Sequence, residues 1–221
     1  MLFQKLIGTA NKVQLFFGSG ASSSANQNSI TFTGVDIGPV SSNRRVVVCV
    51  FIRIAATVTA DPVVTVASQS TSIIDVTGVT TNPSGRLYVY LTDAAVTSGT
   101  TASVVVTAGN GELSTRLFIS TYALIKTGTL MLGQSDASTS GTNPSTQTSS
   151  LSATQVGIFV ASGATTVNLT SLTLSGPVTT DYSDVISLGR MASATLTGTG
   201  TCTATTVGTG STARTILVTW S

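Results

Sequence analysis

Arg44-Arg45-Val46-Val47-Val48-Cys49-Val50-Phe51-Ile52-Arg53-Ile54 decides the fold of this chain. Seven apolar residues run unbroken between the flanking arginines, most of them β-branched. A strand with one wet face alternates apolar and polar residues, so an unbroken run predicts a strand covered on both faces. A buried helix is the competing reading, but Val and Ile lose rotamer freedom there, and Ser41-Ser42-Asn43 in front is a turn cluster. The stretch reads as a central core strand.

The surrounding composition agrees. Only 8% of the 221 residues are charged, while Ser and Thr make up about a third; an average soluble domain carries about 25% charge. Glu112 is the only glutamate and there are three lysines, so solvent-exposed helices lack their usual material. The expected fold is all-β, an antiparallel β-sandwich or jelly-roll-like body with an extended N-terminal arm. Strand signals recur every 8 to 12 residues with turn residues between them, as in sandwiches, and no fixed period marks a solenoid. Net charge is +2 with the basic residues scattered, which argues against nucleic acid as a partner. No run of 18 apolar residues predicts a membrane span. Met1 to Gly8 is too briefly apolar for an export signal, so synthesis in a cytoplasm is expected.

Residues 1–28 read as an arm and linker, and residues 29–221 as the sandwich domain. The arm carries Leu2, Phe3, Leu6, Ile7, Phe16 and Phe17, too many apolar side chains to leave in water, and is expected to dock on a neighbouring molecule. Alternatively, residues 13–17 are the first strand. Within the domain, Arg86-Leu87-Tyr88-Val89-Tyr90-Leu91 alternates, placing Tyr88 and Tyr90 on one face. There they form either an exposed aromatic patch for a sugar or protein, or part of a second covered face. Asn110-Gly111 predicts a hairpin between strands at 102–106 and 116–125. Residues 133–150 hold no apolar side chain larger than Ala and read as a long surface loop.

Catalytic chemistry is not expected. The chain has no histidine, which removes the commonest general base, the Ser-His pairing and the usual transition-metal ligand together. Gly-x-Ser-x-Gly is absent, and Gly208-Thr209-Gly210 is not followed by a helical pattern. Catalytic residues, metal ligands and cofactors are therefore all expected to be none. Asp181-Tyr182-Ser183-Asp184 offers oxygen ligands for Ca²⁺ but reads better as a polar turn. Cys49 and Cys202 are expected to stay reduced in a cytoplasm, with Cys49 acting as a small hydrophobe. Asn168-Leu169-Thr170 is a chance glycosylation match in such a chain.

Val35-Asp36-Ile37-Gly38-Pro39-Val40-Ser41-Ser42-Asn43-Arg44-Arg45-Val46-Val47-Val48 resembles a group of virion proteins of tailed bacteriophages with a similar IG-x-x-SS-x-RRVVV opening to the central strand. The similarity continues through the strand at 155–160 and the closing strand, and leaves residues 1–28 uncovered. It implies a structural virion component with a sandwich or jelly-roll body and carries over no catalytic residue. The expected function is a non-enzymatic capsid decoration, cement or other particle-attached subunit. Its partners would be other virion proteins and copies of itself. The alternative is a receptor-binding module of a fibre or spike that holds host glycan; aromatics at 5% of the chain weigh against it.

Overall fold

The computed structural model describes residues 12–79, 84–138, 144–164, 171–186, 189–207 and 212–221. Its strands form three sheets, and every described pairing is antiparallel. The largest has eight strands, in the order β1 (Gln14–Ser23), β8 (Ser114–Ile125), β3 (Arg44–Ile54), β6 (Ser84–Thr92), β5 (Gln69–Val79), β4 (Val63–Val66), β7 (Thr101–Thr107) and β2 (Ser29–Asp36). A five-stranded sheet follows, β13 (Val178–Ile186), β14 (Gly189–Leu196), β11 (Val156–Ala164), β16 (Thr212–Trp220) and β9 (Leu132–Ser138). The third has three strands, β10 (Ser145–Ser149), β15 (Gly200–Val207) and β12 (Ser171–Ser175). The all-β sandwich expected from sequence is what forms, with one of its packed sheets curled into a nearly closed barrel.

The stack explains the unbroken run. On β3, Val46, Val48, Val50, Ile52 and Ile54 point into the barrel beside Phe32, Tyr88 and Ile119. The alternate set, Val47, Cys49 and Phe51, meets Ile158, Val160, Met191 and Ile216 in the seam between the barrel and the five-stranded sheet. That sheet is double-sided too, because Phe159, Ala161 and Leu217 turn away to meet Leu172, Cys202 and Ala204 beneath the three-stranded sheet. Three apolar layers thus alternate with three sheets. Cys49 and Cys202 are both buried and both free, in different seams.

The barrel closes where β1 meets β2, and side chains make the junction. Ser19 Oγ accepts from the Asp36 amide at 3.0 Å, and the Thr121 hydroxyl donates to the Asp36 carbonyl at 2.6 Å while accepting from the Ser19 amide at 3.2 Å. A Cβ on Gly18 would stand 2.2 Å from the Asp36 carbonyl oxygen, and one on Gly20 would strike the Tyr182 ring at 2.0 Å. These two glycines are what close approach requires.

That finding corrects the domain boundary. Gly18 to Ser23, read as linker, is the second half of β1, which pairs with β8 from Gln14↔Ile125 to Ser23↔Leu117 with a register shift between Phe17 and Gly20. Flexible-looking composition here serves packing. Val13 is buried and Phe17 packs edge-on to Tyr122 at 5.4 Å, so the first-strand reading of residues 13–17 is the right one. Leu2, Phe3, Leu6 and Ile7 lie outside the described residues.

Two further expectations fail for physical reasons. The supposed loop at 133–150 contains β9 and β10, which need no apolar face because each sits at a sheet edge, held by backbone pairing and hydroxyls. Ser145 is buried with its Oγ 3.1 Å from Thr215 Oγ1. Asn110-Gly111 does turn the chain, with Asn110 at φ 51° and Gly111 at φ 75°. The strands it joins do not pair, however: β7 lies between β4 and β2, and β8 between β1 and β3. A tight two-residue hairpin forms instead at Ala67-Ser68, joining β4 to β5 with φ of 50° and 66°.

Candidate functional site

The Tyr88 and Tyr90 pair is not an exposed patch. Both rings stack inside the barrel, 5.6 Å apart, with exposures of 0% and 1%. Of the two readings, the covered face holds, because β6 is a central strand whose other face (Leu87, Val89, Leu91) is also covered. Tyr90 donates to the Pro62 carbonyl at 2.8 Å, and Tyr88 to Asp61 at 3.1 Å. Asp61 also pairs with Arg86 at 2.5 Å, whose guanidinium lies 5.1 Å from the Tyr88 ring centre. Burial pushes both phenols well above their ordinary range. This cluster lies in the barrel core and offers no open groove.

Asp181 to Asp184 is strand, not turn: it lies in β13 at a bulge between Thr180 and Tyr182. The bulge swings Asp181 inward, where it accepts from Thr195 at 2.8 Å and Tyr122 at 3.1 Å. Asp184 accepts from Ser22 at 2.5 Å and Tyr182 at 3.2 Å. Both carboxylates therefore tie sheets together. Among the described residues no group of three or more His, Cys, Asp or Glu is placed to hold a metal ion, and no helix is long and apolar enough to cross a membrane.

The end of the molecule where β3 begins is more distinctive. Arg44 is wholly buried there, donating to the carbonyls of Val96 at 2.9 Å, Gly38 at 2.8 Å, Pro39 at 3.2 Å and Ser98 at 2.8 Å. One guanidinium thereby fixes the β2–β3 connection against the chain after β6, although an arginine at a strand start reads from sequence as solvent-facing. Burial lowers its pKa, opposed by Asp36. Beside it, Asn43, Arg45, Asp93, Lys126, Thr129 and Leu130 line a concavity of about 380 Å³. Arg45 donates to the Thr92 carbonyl, and hydrogen bonds from Ser70 and Ser72 hold Asp93 below the usual carboxylate range. The concavity holds charges of both signs and no nucleophile beside a base, so it can bind polar groups but has no evident chemistry to perform.

Exposed apolar side chains lie at this same end. Phe16 is 39% exposed, Val40 55%, Leu132 49% and Met131 61%. The ladder locates them: Gln14 and Arg44 both pair with Ile125, Phe16 with Ala123 and Leu132 with Trp220, while Met131 exchanges backbone hydrogen bonds with Ser221. Residues 1–11 join the barrel here through Lys12 and Val13. Of the sequence-predicted contacts, Phe16 faces outward and Phe17 inward. Val40 was missed because a single apolar residue in a connecting segment carries no periodicity, and Met131 and Leu132 because the run Leu130-Met131-Leu132 is too short to show one.

The opposite end, where β3 finishes, carries arginines. Arg53 pairs with Arg116 across β3 and β8, and Arg214, 5% exposed, sits in the seam at the start of β16. The outer face of the three-stranded sheet shows Thr146, Thr148, Thr173 and Thr201 to solvent. No family model, curated protein or solved structure matches the chain.

Proposed function

We propose that this chain is a non-enzymatic structural subunit of a tailed-bacteriophage virion, a capsid decoration or other particle-attached protein that works by binding other virion proteins and copies of itself. The observation that carries this reading is the coincidence at one end of the barrel of Phe16, Val40, Met131 and Leu132, all exposed, with the point from which residues 1–11 depart. Leu2, Phe3, Leu6 and Ile7 precede Lys12 in the sequence and lie outside the described residues. Burying one such side chain stabilises by about 1.5–3 kcal/mol, so a few of them seated on a neighbour outweigh the ordering of a short arm. Repetition over many copies then multiplies modest affinities.

The resemblance around Ile37 to Val48 supports the same reading, as does the engagement of the described carboxylates in holding strands and turns. The glycan-binding alternative loses its aromatic platform, since Tyr88 and Tyr90 are inside the barrel. The test is a chain starting at Lys12, which keeps buried Val13 and all of β1. The shortened protein should fold with an unchanged melting midpoint and fail to occupy particles of the phage that encodes it. Normal occupancy by a folded, shortened chain would reject the arm as anchor.

A further inference from the structure

Two buried guanidiniums in this chain meet opposite treatment. Arg44 has carbonyl oxygens on every side. Arg214 has none: its Nε and Nη1 are buried without a partner, and so is the hydroxyl of Ser162, its cross-strand neighbour on β11. Register partners share a face, here the one that Ile158, Val160, Ile216 and Val218 turn toward the barrel. Burial lowers the Arg214 pKa only to about 10, so at neutral pH a cation sits in the seam with no anion. A buried unpaired charge is among the costliest features a fold can keep.

A second observation points to the same end of that seam. Arg53 and Arg116 lie directly opposite each other on the seam-facing side of β3 and β8, where like charges repel. With Ala55 and Thr115 they line an open concavity of about 280 Å³ whose lining contains no carboxylate. Arg116 donates one nitrogen to the Thr115 carbonyl and leaves its Nε buried and unpaired. Gly189 connects the two features: a Cβ there would touch the rings of Phe118 and Phe51 at 3.2 and 3.4 Å, each two residues from one of these arginines. Two residues along β14 from Gly189, Met191 pairs with Ser162.

Among the described residues no carboxylate forms an ion pair with Arg53, Arg116 or Arg214. Each of the chain's eight acids already accepts a hydrogen bond from another described group, and among the described residues the single ion pair is Arg86 with Asp61. We propose that this end of the seam binds an oxyanion from outside the chain, a carboxylate or a phosphoryl or sulfuryl group, held by Arg214 and Ser162 and drawn in by Arg53 and Arg116. Guanidinium groups match the planar or tetrahedral oxygens of such ligands, and a concave surface of one sign concentrates them.

The experiment follows the melting midpoint of the full chain as inorganic phosphate, sulfate or citrate is added, against sodium chloride at equal ionic strength. At an oxyanion concentration of 100 times Kd the folded-to-unfolded ratio rises about 100-fold. Arg214→Met should raise the midpoint in chloride, because an apolar side chain replaces an unpaired buried charge, and should abolish the oxyanion response. The double variant Arg53→Gln and Arg116→Gln, altered at the mouth of the seam, should fold normally and need roughly tenfold more oxyanion for half the response. A response to phosphate and sulfate alone assigns a phosphoryl-type ligand, and one to citrate alone a carboxylate. No response beyond that of chloride, or a full response in Arg214→Met, overturns the proposal.

Discussion

The barrel interior and the seam beneath the three-stranded sheet are both apolar, and they are built of different material. Inside the barrel, Phe32, Tyr88, Tyr90, Ile52 and Ile119 fill space with bulk. Beneath the outer sheet, Ala161, Ala192, Ala204, Ala213 and Cys202 set the spacing, with Phe159, Leu172 and Leu217 among them. Bulky side chains bury much area each and anchor a core. Small ones let two sheets approach but contribute less, so the outer layer leans on hydrogen bonds such as Ser145 with Thr215 and Thr199 with the Leu151 carbonyl. One chain therefore combines a core that stands on burial with a layer that depends on it.

Alkali should break this contrast open most completely. Burial raises the pKa of Tyr88, Tyr90, Tyr122 and Tyr182, and these are all the tyrosines of the chain. A phenol with a raised folded pKa contributes stability that is fully present below its ordinary value near 10 and lost as pH climbs above it. Absorbance of phenolate should stay flat through pH 10 and then rise in one step with unfolding. Two tyrosines titrating reversibly near pH 10 in folded protein would mean that the barrel interior is open to solvent.

Truncations compare the two cores directly. Ile52→Ala, inside the barrel, should cost about 3–4 kcal/mol by chemical denaturation, and Leu172→Ala, beneath the outer sheet, about 2 kcal/mol, because a site among small neighbours collapses more readily. Equal costs would mean that the outer seam is packed as tightly as the barrel. The smallest effect belongs to the edge. Gln134 on β9 donates to the Thr148 carbonyl at 2.8 Å and accepts from the Ser150 amide at 3.1 Å, standing in for a missing strand beside β10. Gln134→Ala should cost about 0.5–1.5 kcal/mol and speed amide exchange at Ser150 while leaving β6 unaffected.

The same contrast sets what was legible in the sequence. Strands whose reason for being is burial announce themselves: β3, β8, β11 and β16 are apolar on both faces because both faces are covered, and β2 alternates at Ile30 and Phe32 because one face is wet. Strands whose reason is pairing do not. Past Leu132, β9 and β10 are written in Gly, Gln, Ser, Asp, Ala and Thr, the composition of a loop, and only the partners β16 and β15 make them strands. The glycines of β1 read as flexibility when they serve contact with Asp36 and Tyr182. At the candidate sites, the exposed face of Phe16 was foreseeable, but the buried arginines were not, since charge in a sequence says nothing of where three loops or two sheets will meet.

One feature of the barrel reaches into the chain's synthesis. Ser19 closes the seam on Thr121, a partner 102 residues further along. At ribosomal rates of 5–20 residues per second, β1 waits about 5–20 s before the strand it pairs with exists. Through that interval Phe16 and Phe17 have neither barrel nor neighbour, and the nascent chain is at its most adhesive. Chaperone demand and aggregation during expression should therefore track changes in β1 far more closely than changes in the strands from β11 onward, whose partners lie near in sequence or are already made.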